Sequence, residues 1–213
     1  MPFRDRAEAG RRLATALAHY RDRRAAILAL PRGGLPVAAE IAAALAAPLD
    51  LIFVRKIGAP FQPELAMGAV VDGAAPLTVR NDDVIGAAGI SDAEFAAMRE
   101  RELMEIRRRR ERYLHGRVPL DAAGRTAIVV DDGVATGATT RAALRAVRQQ
   151  NPAELVVAVP VGASDTLRAL QDEADAIVCL EHHKRFGAIG AYYRDFSQVS
   201  DEEVIDILAR FPG

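Results

Sequence analysis

Ala127-Ile128-Val129-Val130-Asp131-Asp132-Gly133-Val134-Ala135-Thr136-Gly137-Ala138-Thr139-Thr140 begins as an apolar run, meets two carboxylates and ends in a turn of small and hydroxyl-bearing residues. Residues 126–130 read as a buried strand, and a helix is predicted from about 139 to 150. Ligands of open parallel sheets bind beyond the carboxyl ends of the strands, where Asp131 and Asp132 emerge. Carboxylates accept hydrogen bonds from paired sugar hydroxyls. The segment after them offers backbone N–H groups, threonine hydroxyls and a helix N-terminus, all suited to a phosphate. One ligand carrying both a diol and a phosphate fits this order. The alternative is a plain strand-to-helix turn with an N-capping threonine.

Outward from that stretch, strands alternate with helices. A first helix is expected over about 5–20, a strand over 26–30, a helix from Pro36 to about Ala47 and a strand over 49–54. Ala69 to Val71 and Leu77 to Arg80 are read as a hairpin around the turn signal Asp72-Gly73. Ser91 and Glu94 form a capping box that starts a helix to about Leu114, and the arginines at 107–110 lie among glutamates on its solvated face. Further strands are expected over 155–159 and 176–180, with a short helix over 164–170. This alternation predicts an α/β fold with a largely parallel sheet covered on both faces, in one domain over 1–213.

Composition limits the function classes. In 213 residues, half of them apolar, 28 basic and 29 acidic side chains give a net charge of −1, so no global positive field recruits nucleic acid or an anionic membrane. Cys179 stands alone, which excludes an internal disulfide and a cysteine-built metal site. The first residues lack a signal-peptide core, and no apolar run approaches a spanning length, so a reducing cytoplasmic setting is expected.

The 127–140 stretch closely resembles the phosphoribosyl-pyrophosphate motif of type I phosphoribosyltransferases, where an apolar strand precedes two acidic residues and a Thr-Gly-x-Thr loop. The resemblance implies that Asp131 and Asp132 hold the ribose 2- and 3-hydroxyls, and that Val134, Ala135, Thr136, Gly137, Ala138, Thr139 and Thr140 enclose the 5-phosphate. Gly133 stands where a branched apolar residue is common, and Ala138 where a second glycine is common. Pro31-Arg32-Gly33-Gly34 follows the first core strand, at the family's pyrophosphate loop, which often has an unusual peptide geometry; Arg32, Gly33 and Gly34 would bind the diphosphate. The chain as a whole is similar to stand-alone bacterial phosphoribosyltransferase-like proteins whose acceptor is uncertain.

The same resemblance implies the chemistry, displacement of pyrophosphate at ribose carbon 1 by a nitrogenous small molecule. Magnesium would be held mainly by substrate oxygens and water, with no protein-built metal site. Arg55 and Lys56, at the end of the second strand, are candidate catalytic cations alongside Asp131 and Asp132, with Arg55 placed first; a solvated strand end is the alternative. Residues 57–83 are the counterpart of a mobile loop, with Glu64 and Asn81-Asp82-Asp83 as polar contacts. Ala135 replaces the acidic residue common in 6-oxopurine enzymes and argues against that branch. Residues 181–213 would supply a hood, in which Phe186, Tyr192 and Tyr193 stack on the acceptor unless they seal the C-terminal turn. A homodimer is compatible with the family. A non-catalytic phosphoribosyl-pyrophosphate-binding regulator and a phosphoribosyl hydrolase are the alternative functions.

Overall fold

Strand β1, Ala25–Ala29, is buried at all five positions, and so is the strand that pairs with it, Thr126–Val130. Such runs must be covered on both faces, which a parallel sheet between helical layers provides. A computed structural model describes residues 2–71 and 76–211, with only the backbone of residues 63 and 64. Its main sheet has five strands: β1, β2 (Leu49–Leu51), β6 (Thr126–Val130), β7 (Glu154–Ala163) and β8 (Ala176–His183), in the order β2-β1-β6-β7-β8. All four pairings are parallel. From β1 the chain steps outward to β2 and later returns to β6 on the other side. The order therefore reverses between β1 and β6, the place where open α/β sheets bind ligands.

Alternate residues point to opposite faces. Ile27 and Ile128 join one core with helices α1 (Arg6–Ala16), α2 (Gly34–Leu45) and α4 (Asp92–Leu114), while Leu28 and Val129 join the other with α5 (Ala138–Arg148). The N-terminal helix stops at Ala16, and a 3-10 turn, Ala18–Tyr20, completes the span expected over 5–20.

The described residues of 57–83, read as the counterpart of a mobile loop, belong mostly to a second sheet. Strands β3 (Val54–Ala59), β4 (Gln62–Val71) and β5 (Leu77–Arg80) form an antiparallel meander, followed by helix α3 (Asp82–Ala87). The expected pairing of residues 69–71 with 77–80 is present; the Asp72-Gly73 turn lies outside the described residues. The single strand read over 49–54 is divided at Ile52-Phe53 between the two sheets. One face of the small sheet carries Ile57, Met67 and Val70 against Phe95, Leu103 and Ile106; the other carries Val71, Val54 and Val79 toward the α5 layer. It is a wedge between α4 and α5. At the C-terminal end, α6 (Ser164–Ala169) follows β7, and α7 (Asp201–Ala209) buries Val204, Ile207 and Leu208 in the first core. Helix α7 is therefore core packing, and the segment near the crevice narrows to residues 184–197.

Candidate functional site

The β1–β6 pairing runs to the strand ends, where the Leu30 N–H donates to the Val130 carbonyl at 2.9 Å. Two loops consequently leave the sheet side by side. On the β1 side the Pro31–Arg32 peptide is cis, and Gly33 and Gly34 lead into α2. A Cβ on Gly33 would lie 2.1 Å from Asp132 Oδ2, and one on Gly34 would lie 2.6 Å from the Val130 carbonyl. Glycine is thus required for the two loops to touch, a reason separate from any approach to a phosphate.

On the β6 side Asp131 and Asp132 begin the turn, and Asp131 Oδ1 accepts the Asp132 N–H at 2.9 Å. Asp131 is half-buried and Asp132 buried. Burial first, and the neighbouring Asp132 carboxylate second, push the Asp131 carboxyl well above its ordinary range. Burial also raises Asp132, opposed by the Arg6 guanidinium, whose Nε donates to Asp132 Oδ2 at 2.8 Å. The Tyr193 hydroxyl donates to the Asp132 carbonyl at 2.6 Å.

The turn is then pinned to the β7 extension. Val134 N–H donates to the Val161 carbonyl, Ala163 N–H donates to the Val134 carbonyl, and the Thr166 hydroxyl donates to the Ala135 carbonyl. Gly137, at φ +73°, ends the turn without a side-chain cap for α5. The first N–H groups of a helix lack internal partners, and here the positive end of an 11-residue helix opens beside the acidic pair. Thr136, Ala138 and Thr139 are exposed at this end, while Thr140 is buried. Gly133 has a specific cause: a Cβ there would meet the Ile189 side chain at 2.6 Å, so Ile189 fills the space that a branched residue at 133 would need.

Arg32 is half-buried and its Nη1 donates to Asp201 Oδ1 at 3.3 Å; Asp201, at the start of α7, also holds Arg112 and the Tyr113 hydroxyl. Arg55 and Lys56 point to different surroundings. Strand alternation turns Arg55 toward α4, where its Nε donates to Glu102 at 2.6 Å. Lys56 instead lines a cleft of about 550 Å³ with Thr139, Ala138, Arg141 and Asn81-Asp82-Asp83. Those last three residues are the N-cap and first turn of α3, with Asn81 accepting the Val84 N–H, and not a loop cluster.

In the C-terminal segment Phe186 and Tyr192 stack at 4.9 Å and Tyr192 and His183 at 4.7 Å, all half-buried. Tyr193 does not join that column. It is 6% exposed, with its ring against Phe3 and Phe196, so its expected stacking on an acceptor is replaced by a structural role. Sequence reasoning missed Arg6, Ile189 and Asp201. Arg6 looks like any first-turn residue after the N-cap Asp5, but Ser200 and Glu203 carry the same capping signature as Ser91 and Glu94 and announce the helix that brings Asp201 to Arg32.

The fold is thus an open α/β protein whose mostly parallel sheet reverses its strand order beside an acidic pair and a helix N-terminus. Residues 5–196 match the family model of the phosphoribosyl transferase domain, and the chain belongs to that family. It is 45% identical over 208 residues, 98% of its length, to a Mycobacterium tuberculosis protein that carries the provisional name of phosphoribosyl transferase. The match covers 46% of that relative, so the chain spans about half the length of the curated relatives it matches. The crystal structure of TT1426 from Thermus thermophilus superposes with a TM-score of 0.86 at 42% identity, covering all of both chains. AQ2163 from Aquifex aeolicus shares the fold alone, with a TM-score of 0.51 at 10% identity over 87% of this chain and 78% of that one.

Proposed function

We propose that the protein transfers the 5-phosphoribosyl group of phosphoribosyl pyrophosphate to a nitrogenous small molecule and releases pyrophosphate. The observation that carries this reading is the meeting of the two loops at the β1–β6 reversal, where the Gly33-Gly34 backbone touches Asp132 and Val130. On this reading Asp131 and Asp132 accept the ribose hydroxyls, and the α5 N-terminus with Thr136 and Thr139 takes the 5-phosphate. The loop at Arg32 to Gly34 takes the diphosphate, and Lys56 offers a point charge from the small sheet.

The acceptor nitrogen gives its lone pair to ribose carbon 1 as the bond to the pyrophosphate oxygen breaks. The pyrophosphate leaves with that bonding pair, and the nitrogen gives its proton to water. The chain's own residues orient the ribose and stabilise charge around an oxocarbenium-like centre. The donor set suits a divalent cation: burial and mutual repulsion make the carboxylate pair costly to ionise, which a cation arriving with the ligand offsets. Magnesium, when bound, screens the diphosphate; ribose and diphosphate oxygens and water would hold it, and Asp131 and Asp132 would hold those ribose hydroxyls. Ala135, whose carbonyl is occupied by Thr166, offers no carboxylate to a purine ring and supports an acceptor outside the 6-oxopurines.

The test is calorimetric binding of phosphoribosyl pyrophosphate with magnesium, followed by mass analysis of products from an acceptor panel. A folded Asp131→Asn, Asp132→Asn double variant should bind about a hundredfold more weakly, from the loss of charge-assisted hydrogen bonds. Undiminished binding would reject these residues. Tight binding with no pyrophosphate release across the panel would make the protein a regulator, and equal release of ribose 5-phosphate and pyrophosphate without acceptor would make it a hydrolase.

A further inference from the structure

Arg6 opens helix α1, far in sequence from everything it touches. Its Nε donates to Asp132 Oδ2 at 2.8 Å, its Nη1 donates to the Ser197 carbonyl at 2.8 Å, and its guanidinium carbon lies 3.9 Å from the centre of the Phe196 ring. The side chains of Arg6 and Asp132 are 11% and 10% exposed. An ion pair so enclosed, under an aromatic ring, differs from the solvated pairs elsewhere on the surface, which contribute little.

We infer that Arg6 is a positioning residue for ribose recognition: it holds the Asp132 carboxylate in one rotamer against Gly33, so that the carboxylate can accept a ligand hydroxyl. The inference rests on the ribose-phosphate reading of the crevice. With Oδ2 committed to the guanidinium, hydroxyl recognition falls to Oδ1. Arg6 supplies the side-chain hydrogen bond to this carboxylate. Asp131 on the same loop repels its charge, and Tyr193 bonds the backbone carbonyl of residue 132 and not the carboxylate. Without Arg6, a nearly buried carboxylate beside another carboxylate turns toward water, which takes the acceptor away from the ligand. Through Ser197 and Phe196 the same guanidinium fastens the C-terminal segment to the ribose end of the crevice, so one residue sets the carboxylate and the wall beside it.

The experiment measures affinity for ribose 5-phosphate and for inorganic phosphate by calorimetry in the full chain, with wild type, R6Q, R6K, D132N and the R6Q/D132N double variant. Losing one charged hydrogen-bond partner predicts an about tenfold or greater loss for ribose 5-phosphate in R6Q. Phosphate, bound at the α5 end, should change less than about twofold, and R6K should recover part of the loss because it keeps the charge. The R6Q/D132N variant should bind ribose 5-phosphate no more weakly than D132N, since both changes act on one interaction. Undiminished ribose 5-phosphate affinity in R6Q, parallel loss of both ligands, or additive losses in the double variant would overturn the inference. Should R6Q not fold, F196L removes the ring beneath the guanidinium and keeps the charge. A severalfold loss for ribose 5-phosphate with phosphate unchanged is then expected, and no change overturns the inference. A wild type that binds no ribose 5-phosphate overturns the reading of the crevice itself, and this inference with it.

Discussion

Asp131 holds a carboxyl whose ionisation the fold disfavours, through burial and through its neighbour. Between its unfolded value near 3.8 and its raised folded value, the native state binds more protons than the unfolded chain, so stability falls as pH rises through that window. Asp131→Asn keeps an oxygen for the Asp132 N–H and removes the charge. We expect it to gain about 1 kcal/mol at neutral pH and to melt about 2–4 °C higher, with the downward slope flattened and ribose binding weakened. A melting series over pH checks this; a variant that melts lower at neutral pH would contradict it. The same residues show what was legible at this scale. Asp131 and Asp132 stand out because polar groups directly follow an apolar strand. Arg6 and Ile189 do not, because chain folding and not neighbouring sequence brings them to the acidic loop. Arg55 and Lys56 were legible as cations, but their opposite directions were not: the alternation of β3 was hidden by Gly58 and Ala59, which read as loop.

Helix α4 was fully announced at its start. The Ser91 hydroxyl accepts the Glu94 N–H, and Glu94 accepts the Ser91 N–H at 2.9 Å. Ser91→Ala should therefore cost about 1 kcal/mol and lower the melting temperature by about 2–4 °C with ligand affinity unchanged, since the cap lies on α4 and not on the crevice loops. The elements of the main sheet were legible for another reason: continuous apolar runs of strand length, separated by helices. Of the β3–β4–β5 meander, only the pairing of residues 69–71 with 77–80 was legible. Both its faces are covered by α4 and α5, so it shows no polar-apolar alternation, and its glycines and prolines mimic a loop.

At the scale of the whole molecule, the N-terminal residues meet the segment around Tyr193. Phe3 pairs with Tyr193, Phe3 N–H donates to the Tyr192 carbonyl, and Arg194 N–H donates to the Phe3 carbonyl. Tyr193 then reaches inward to the Asp132 carbonyl. Tyr193→Phe should cost about 1–2 kcal/mol, because a buried hydrogen bond is lost, and should speed amide exchange over residues 189–197 while the main sheet keeps its protection. Uniform loss of protection would instead mean that this bond supports the whole fold. The parallel pairing of β1 with β6 has a wider meaning. Ala25 lies beside Thr126, so forming this pair closes a very long loop, and such closures are slow and accrue late in folding. No partly folded chain lacking that closure has a crevice to offer. A ligand at the reversal therefore recognises only the completed fold, and at a hundred times its dissociation constant it would add about 2.7 kcal/mol to the unfolding free energy. The rise in melting temperature with ligand concentration then reports occupancy of the finished crevice, readable before any product has been identified.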